Sequence, residues 1–458
     1  MVDYIKLQKG LDLPLEGAPE QILKEVVASD SISIKPTDFK GVVPRLSVRE
    51  GDTVKAGSPI FTDKLHEEVK FTSPVSGTVE KIVRGEKRKL LEIRIKADAQ
   101  IDYLKFDIPS MESLDKKQVT SALLESGLWA AIIQRPYGII ANPEDTPKSI
   151  FISGFHTAPL AADVDFTLKD EISNIQVAID ALNKLTKGGI HIGLSAKTHA
   201  SSPLHKLKDV NYHIFDGPHP AGNVGVQIHH VSPINKGEIV WTVNVTLLAA
   251  IGKLFSKGIY DMTRIVAVGG PRVSKPCYIK CLPGQNMSCL SDMTNNNVTK
   301  DQKGCGIRYI SGDVLSGTSV GANGSLSFYD DQISLITEGN YYEAFGWAKP
   351  ARAKKFSFYR SYFSWLTPKK KFAMDSNLNG EVRAFVLTGN YEKVLPMDIL
   401  PVYLLKAIIV RDIDKMEELG IYEVVPEDFA LCEYISEAKI EIQAIIEDGI
   451  NLMIKEMS

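Results

Sequence analysis

The sequence predicts an α/β protein of several domains, in which a small barrel of short strands precedes a parallel sheet and a helical C-terminal region. Two patterns and the length support this prediction. Between residues 48 and 79, glycines at turn positions separate runs in which apolar and polar residues alternate. From about residue 149, short apolar runs alternate with segments of helical periodicity. With 458 residues, of which 44% are hydrophobic, the chain is long enough for about three or four domains.

The first unit, residues 1–105, contains two half-motifs of a flattened barrel. They are VREGDTVKAGSPIF (residues 48–61) and SPVSGTV (residues 73–79). Gly51, Gly57 and Gly77 stand where a tight turn needs a positive φ angle. Between them, β-branched and aromatic residues alternate with polar ones, as in half-buried strands. The pattern is that of biotinyl and lipoyl carrier domains, so we predict a barrel-sandwich hybrid.

A carrier domain presents one modifiable lysine at the tip of a hairpin, and TDK (residues 62–64) supplies a candidate in Lys64. The distance from Lys64 to Pro74 is longer than in carrier domains, which places Lys64 away from the tip. Charged residues also follow it, unlike the neighbours that modifying enzymes prefer. We therefore expect an unmodified Lys64. A lipoylated or biotinylated carrier protein stays the rival hypothesis for the whole chain.

The second unit, residues 106–258, has the order of a parallel, Rossmann-like α/β sheet. After a short helix, strands are expected at residues 149–153, 190–194, 212–215 and 239–243, with helices near 170–187 and 247–255. A ligand would lie beyond the C-terminal ends of the strands, at GFHTAPL (154–160) and FDGPHPAG (215–222). Because no G-x-G-x-x-G fingerprint occurs there, we expect neither NADH nor flavin to bind.

Two further units complete the chain. Residues 259–337 show strand, strand, short helix and strand, which predicts a small β-grasp domain of the SLBB-like type. Residues 338–458 are expected to be mostly helical and to end in a helix near residues 436–447 that Ser436 caps.

Cysteines are candidate ligands for zinc or for an iron–sulfur cluster. Four of them lie close together: Cys277, Cys281, Cys289 and Cys305. Their spacing fits neither a zinc ribbon nor a ferredoxin, so we expect reduced and buried thiols. No metal site is predicted.

Histidines cluster in the second unit. His191, His213 and His219 lie on or after different strands and could converge, whereas His229 and His230 are expected on a strand with their side chains on opposite faces. We expect neutral histidines that form hydrogen bonds within the sheet. No nucleophile elbow, triad or paired-carboxylate spacing is visible, so no catalytic residue is predicted.

Composition excludes several classes of protein. A net charge of −3 makes nucleic acid an unexpected partner. No apolar run approaches the length of about 20 residues that spans a membrane, and the N-terminus lacks the apolar core of a signal peptide. Five cysteines, an odd number, fit a reducing compartment.

The assembled motifs resemble those of the A subunits of bacterial sodium-translocating NADH:quinone oxidoreductases (Nqr). They occur in that family's order: KGLDLPLEGAPEQ, GDTVKAGSPIFTDK, VKFTSPVSGTVEKIVRGEKR, LLESGLWAAIIQRPYG, FDGPHPAG, ISGDVLSGT, FGWAKP and NYEKVLPMDILP. Two other proteins are similar to this family, namely the C subunit of the Rnf complex and the NADH-binding flavoprotein subunit of complex I.

The resemblance implies a peripheral subunit on the cytoplasmic face of the bacterial inner membrane, with five other Nqr subunits as partners, including the membrane subunits. The complex couples NADH oxidation by quinone to sodium export, and the isolated subunit is expected to be inactive. The resemblance further implies no NADH, flavin or cluster in this subunit. Where relatives carry C-x-x-x-C-P, this chain has Cys432 and Ser436, so a cluster is not expected there.

The resemblance also associates the chain with quinone, through ISIKPTDFK (residues 32–40) and IIQRPYG (residues 132–138). Aromatic rings there offer flat apolar faces, and cationic side chains can donate hydrogen bonds to carbonyls. The candidate quinone contacts are Phe39, Lys40, Arg45, Arg135 and Tyr137. In the alternative interpretation, Arg135 forms a surface or interdomain ion pair and Tyr137 only shapes a turn. A pure assembly scaffold without a ligand is a third hypothesis.

Overall fold

The computed structural model describes residues 3–25, 30–295, 304–341, 355–360, 362–386 and 389–457. These residues form four sheets and a C-terminal group of helices. Among them, no helix combines the length and the apolar character that crossing a bilayer requires.

The barrel occupies the first hundred residues. The strands of this part are β1 (Asp3–Lys6), β2 (Leu23–Lys24), β3 (Ser31–Ile34), β4 (Pro44–Leu46), β5 (Thr53–Val54), β6 (Pro59–Asp63), β7 (Lys70–Thr72), β8 (Gly77–Arg84) and β9 (Leu90–Ala97). A four-stranded sheet in the order β3-β9-β8-β5 faces a three-stranded sheet in the order β4-β6-β7. Ile60, Phe61 and Ile93 are fully buried between them. The predicted barrel-sandwich hybrid is therefore confirmed.

Local features of the barrel follow the sequence. Gly51 and Gly57 adopt φ angles of 92° and 98°, which permit the two tight turns. Lys64 directly follows β6, and its backbone N–H donates to the carbonyl of Val43 at 2.8 Å. Since β6 and β7 pair as far as Thr62 with Lys70, Lys64 lies beside the ladder rather than at the tip of the hairpin.

The second unit contains α1 (Lys116–Ser126), β10 (Ile132–Arg135), β11 (Ile139–Ile140), β12 (Ile150–Ser153), α2 (Val164–Thr167), α3 (Ile172–Leu182), β13 (Ile190–Ser195), β14 (Asn211–Asp216), α4 (Val224–Val231), β15 (Val240–Val243) and α5 (Val245–Lys257). Its seven-stranded sheet has the order β1-β14-β13-β12-β15-β10-β11. β1, β14, β13, β12 and β15 run parallel, whereas β10 is antiparallel to β15. The predicted parallel α/β sheet is present.

Close packing joins the two long helices on this sheet. A Cβ atom at Gly252 of α5 would lie 1.8 Å from the carbonyl oxygen of Asn174 in α3, so only glycine permits this approach. The Asn244 side chain accepts a hydrogen bond from Thr246 N at 3.0 Å and caps the start of α5, while Gly258 ends it with a φ of 64°.

One predicted strand is a helix. His229 and His230 lie on α4, not on a strand, so the expected opposite-face arrangement is wrong. The physical reason is that β14 and β15 belong to the same parallel sheet, and parallel strands need a crossover connection, which α4 supplies.

The third unit contains β16 (Arg264–Gly269), β17 (Cys277–Cys281), β18 (Ile307–Ser311), β19 (Thr318–Ser319) and β20 (Gln332–Thr337). Together with β2 they form a six-stranded sheet in the order β19-β18-β20-β16-β17-β2. A short helix at Met287–Met293 packs Leu290 into its core, as predicted. The β-grasp expectation agrees with this arrangement.

The N-terminal strands connect the units. β1 pairs in parallel with β14 of the α/β sheet, and β2 pairs with β17 of the β-grasp sheet. The four residue ranges given above remain our proposed division of the chain, in which β1 and β2 join the α/β sheet and the β-grasp sheet.

The C-terminal region contains α6 (Pro401–Val410), α7 (Ile413–Glu418), α8 (Ala430–Ile435) and α9 (Ile442–Met457). The expected helix at 436–447 is wrong in its start, because Lys439 adopts a φ of 54° and interrupts helical geometry. Ser436 ends α8 and its hydroxyl lies 3.0 Å from that of Tyr391. The FGWAKP motif lies outside the described residues.

Candidate functional site

A cavity of about 610 Å³ lies at the carboxyl edge of the parallel sheet, where the sequence predicts a ligand. Both predicted loops reach it, GFHTAPL through His156 and FDGPHPAG through His219. All four units contribute to its wall, with polar side chains that include Asp38, Lys40, Arg135, Ser153, Asn223, Asn244, Asp313, Asp330, Glu427 and Glu447. The cavity is therefore an interdomain space rather than a groove on one domain.

Arg135 ends β10 at the wall of this cavity and is only 3% exposed. Its Nη1 lies 3.2 Å from Asp428 Oδ2, and its Nη2 lies 2.9 Å from Glu427 Oε1. Asp428 is itself fixed, because Oδ2 accepts a hydrogen bond from Val425 N at 3.0 Å. The guanidinium thus joins the α/β unit to the C-terminal region. This contact is the interdomain ion pair that the alternative interpretation of Arg135 expects.

Glu427 is the more open of the two partners. Its side chain keeps 44% of its surface accessible, toward the cavity. Burial among protein atoms raises the pKa of Glu427, and the nearby Asp428 and Asp313 raise it further, against the opposing effect of Arg135. A proton on Glu427 would weaken its contact with Arg135 and leave Asp428 as the main partner.

Lys40 forms a second cationic contact at the cavity. Its Nζ lies 2.8 Å from Glu447 Oε2 on α9, so it also pairs with the C-terminal region. Lys40 and Arg135 are the two predicted quinone contacts that the fold brings to the same cavity.

The other three predicted contacts lie elsewhere. Phe39 is 5% exposed and packs in the core, with its ring 4.5 Å from that of Phe71 and 5.0 Å from that of Phe328. Arg45 is on the outer surface of the barrel, paired with Glu67. The half-buried ring of Tyr137 packs against Tyr422 of the C-terminal region, and burial raises its pKa. Among the described residues of the cavity wall, none of these three is found.

Sequence reasoning missed a partly buried acid–base pair beside the cavity. His156 Nε2 and Asp331 Oδ2 form an ion pair at 2.9 Å. Burial alone would lower the pKa of His156, but Asp331 outweighs this and raises it. Burial also raises the pKa of the adjacent Asp330 to about 6. The available signal was the acidic pair just before β20, together with the only histidine of the first predicted loop.

The described cysteines and histidines do not form a metal-binding group. Within the described residues, no group of three or more His, Cys, Asp or Glu could hold a metal ion. Cys281 lies on β17 in the β-grasp core, where burial raises the pKa of its thiol to about 12. His191 Nδ1 and His213 Nε2 lie 2.9 Å apart across the parallel sheet, as hydrogen-bonded sheet histidines would. Burial lowers the pKa of both rings.

Family models match three successive parts of the chain. The NqrA N-terminal barrel-sandwich hybrid domain matches residues 5–98, the NqrA second alpha/beta domain matches residues 114–260, and the NQRA C-terminal domain matches residues 265–322. A crystal structure of an NAD+-reducing [NiFe]-hydrogenase in the H2-reduced state is similar over 74% of this chain and 61% of its own, with 11% identity and a TM-score of 0.38.

Curated relatives match over almost the whole chain. The A subunit of the Na(+)-translocating NADH-quinone reductase of Vibrio vulnificus (strain YJ016) is 35% identical over 455 residues, which are 99% of this chain and 100% of the relative. The same subunit of Yersinia pestis bv. Antiqua (strain Angola) is 37% identical, over 97% of this chain and 98% of the relative. That of Rhodopirellula baltica is 36% identical, over 98% of each. At this identity and coverage, the chain belongs to the A-subunit family of Na(+)-translocating NADH-quinone reductases.

Proposed function

We propose that this chain is the peripheral A subunit of a sodium-translocating NADH:quinone reductase and that its interdomain cavity binds the quinone head group. It would act on the cytoplasmic face of the bacterial inner membrane with five other subunits, including the membrane subunits. The complex would couple NADH oxidation by quinone to sodium export, and this chain would hold no NADH, flavin or cluster of its own. Family membership supports the subunit role.

One observation carries the quinone proposal, namely the buried guanidinium of Arg135 at the cavity wall. A guanidinium has five N–H donors, and the bonds to Glu427 and Asp428 each use one, so donors remain for a ligand carbonyl. In a partly desolvated cavity such a hydrogen bond is stronger than in water. Lys40 provides a second donor for the carbonyl at the other side of a quinone ring.

The rest of the cavity suits a flat, mostly apolar ring. Ile133, Val243 and Leu315 line it between the polar groups. Its volume of about 610 Å³ falls in the range of about 300–1,000 Å³ that is typical of small-molecule sites.

Binding of a water-soluble quinone analogue to the isolated protein tests this proposal. Replacing Arg135 by Ala should remove a charge-assisted hydrogen bond worth about 1.5–3 kcal/mol, which weakens binding about tenfold or more. Arg45→Ala removes the same functional group from the outer surface of the barrel and should leave affinity unchanged. Lys40→Gln should give a smaller loss than Arg135→Ala, because Lys40 is the more exposed of the two cations.

Folding must be checked by thermal unfolding before a loss is assigned to the site. Equal affinity of wild type, Arg135→Ala and Lys40→Gln, both in the complex and in the isolated protein, would exclude a quinone contact at these residues. Arg135 would then act only as an interdomain clamp, in agreement with the scaffold hypothesis.

A further inference from the structure

The whole chain has a net charge of only −3, but one of its segments is strongly cationic. Residues 344–374 contain eight Lys or Arg residues and no Asp or Glu. The described part of this segment, residues 355–360 and 362–374, includes five of these cations. It is also rich in aromatic residues, and neither the fold prediction nor the quinone proposal accounts for that combination.

Several side chains in the described part of this segment lie at the surface. Trp365 and Leu366, in the short helix at Phe363–Leu366, are 51% and 60% exposed. Residues 367–371, which include three consecutive lysines, are exposed directly after them. Arg360 and Tyr359 are exposed just before them. We call the exposed side chains of Tyr359, Arg360, Trp365, Leu366 and Lys369 to Lys371 the basic–aromatic face.

Both ends of the face are tied to the protein. Phe372 is 3% exposed, its N–H donates to the carbonyl of Pro14 at 2.8 Å, and its carbonyl accepts from Glu16 N at 3.0 Å. At the other end, the Tyr359 hydroxyl donates to the carbonyl of Ile435. The exposed tryptophan and lysines therefore stand on a fixed base, which reduces the entropy lost when they bind a surface.

We propose that the basic–aromatic face docks directly on the anionic head groups of the bilayer, so that this protein contacts lipid as well as protein partners. Tryptophan beside leucine prefers the level of the head groups, where the ring meets both apolar chains and water. Clustered lysines in a stretch of sequence without Asp or Glu are attracted by anionic lipid. The positive charge of the basic–aromatic face is complementary to the negative charge of an anionic lipid surface. The inference rests on these residues and goes beyond the quinone proposal, which can fail independently.

Flotation of the full chain with lipid vesicles tests the proposal. We expect binding to vesicles of phosphatidylcholine mixed with phosphatidylglycerol and little binding to phosphatidylcholine alone. Binding should fall steeply at about 1 M salt, where charges are screened beyond about 3 Å.

Two matched triple variants locate the contact. Lys369→Gln, Lys370→Gln and Lys371→Gln together should weaken partitioning about a hundredfold, since each lysine near an anionic surface contributes about a fivefold factor. The control replaces Lys87, Arg88 and Lys89, a second exposed basic run on the β8–β9 hairpin, by Gln. It removes the same net charge and should leave partitioning almost unchanged.

Insertion of the tryptophan gives an independent readout. Trp129 and Trp241 are fully buried, so in a Trp347→Phe background Trp365 is the tryptophan that lipid can reach. Brominated phosphatidylcholine in the anionic vesicles should quench its fluorescence, and Trp365→Phe should abolish the quenching.

Several outcomes would overturn the proposal. These are absence of binding to anionic vesicles, equal losses in both triple variants, or no quenching of Trp365 in bound protein. Flotation only with vesicles that contain the membrane subunits would point instead to a protein partner at this face. Tighter binding to homopolymeric RNA than to vesicles, lost in the Lys369 to Lys371 variant, would point to nucleic acid. Unchanged quinone binding in all these variants keeps the two proposals separate.

Discussion

Removal of Arg135 should destabilise the contact between the α/β unit and the C-terminal region. The side chains of Arg135 and Asp428 are 4% and 0% exposed, and their charged atoms lie 3.2 Å apart. Charge centres about 4 Å apart attract by about 4 kcal/mol at an effective dielectric constant of about 20. Breaking a buried pair from one side typically costs about 3–5 kcal/mol, because the other charge stays buried. We expect a cost in this range for Arg135→Ala.

The two partners are not equivalent. After Arg135→Ala, the Asp428 carboxylate keeps only the Val425 N–H among its described donors, and its Oδ1 already has no hydrogen-bond partner within the described part of the chain. After Asp428→Ala, Arg135 keeps Glu427 at 2.9 Å. Asp428→Ala should therefore cost less than Arg135→Ala, and the double variant should cost clearly less than the sum of both.

Thermal unfolding with a double-mutant cycle measures these costs. A change of 1 kcal/mol moves Tm by about 2–4 °C in a domain of about 150–250 residues, and limited proteolysis shows whether the C-terminal region detaches first. Additive costs, or a loss below about 1 kcal/mol for Arg135→Ala, would refute the buried pair. The cycle also separates two causes of a loss in the quinone test: Asp428→Ala loosens the same contact while Arg135 remains, so it should change quinone affinity less than Arg135→Ala does.

Two further predictions concern single side chains. Asp330→Asn should stabilise the protein by about 1–3 kcal/mol at about pH 8 but hardly at about pH 3, as thermal unfolding at both values can show. The reason is that the pKa of Asp330 is about 6 in the folded protein, above its ordinary value of 3.8, so stability is lost as pH rises from about 4 through 6. Equal effects at both pH values would contradict this. The second prediction is that intact mass will show Lys64 unmodified; a lipoyl or biotinyl mass would revive the carrier hypothesis.

Local rules explain why the barrel and the parallel sheet could be predicted. Gly51 and Gly57 are needed for positive φ angles, whatever the rest of the chain does. The strand at 149–153 and the helix that ends at Gly258 also have their stop signals within a few residues. Such elements are encoded in short windows, so a single sequence reveals them.

The errors concern features that depend on residues far apart in the sequence. β1 pairs with β14, more than two hundred residues away, and no local sequence pattern predicts that pairing. His229 lies in a short segment whose β-branched neighbours favour a strand, but the crossover between two parallel strands requires a helix. At the C-terminus, Glu433 accepts from Gln443 N at 2.7 Å, so a side chain from the preceding helix supports the start of α9 instead of Ser436.

The candidate site could likewise be predicted only in part from the sequence. The family resemblance proposed Arg135, Lys40 and Phe39 together, and the sequence could not separate them, because an aromatic ring beside a basic residue suits a core and a binding site equally well. Burial decides that Phe39 packs inside the barrel. The same tertiary information is needed to find Asp330 and His156, because the charged groups that shift their pKa, such as Asp38 and Glu427, come from distant parts of the chain.

If quinone binds in the cavity as proposed, the charges of the cavity connect its binding to the position of the C-terminal region. Two of the three cations of the predicted set, Lys40 and Arg135, are paired with carboxylates of that region, Glu447 and Glu427 among them. On the quinone proposal, a quinone carbonyl accepts from an N–H of Arg135 that the bonds to Glu427 and Asp428 do not use, and it shares the charge of the guanidinium with these carboxylates. Because linkage is reciprocal, a partner that pulls the C-terminal region away should change quinone affinity by the factor by which quinone changes that partner's affinity. On the quinone proposal, the interdomain clamp and the ligand site share one set of hydrogen bonds, so Asp428→Ala should alter quinone affinity, by less than Arg135→Ala, even though Asp428 is not among the residues that line the cavity.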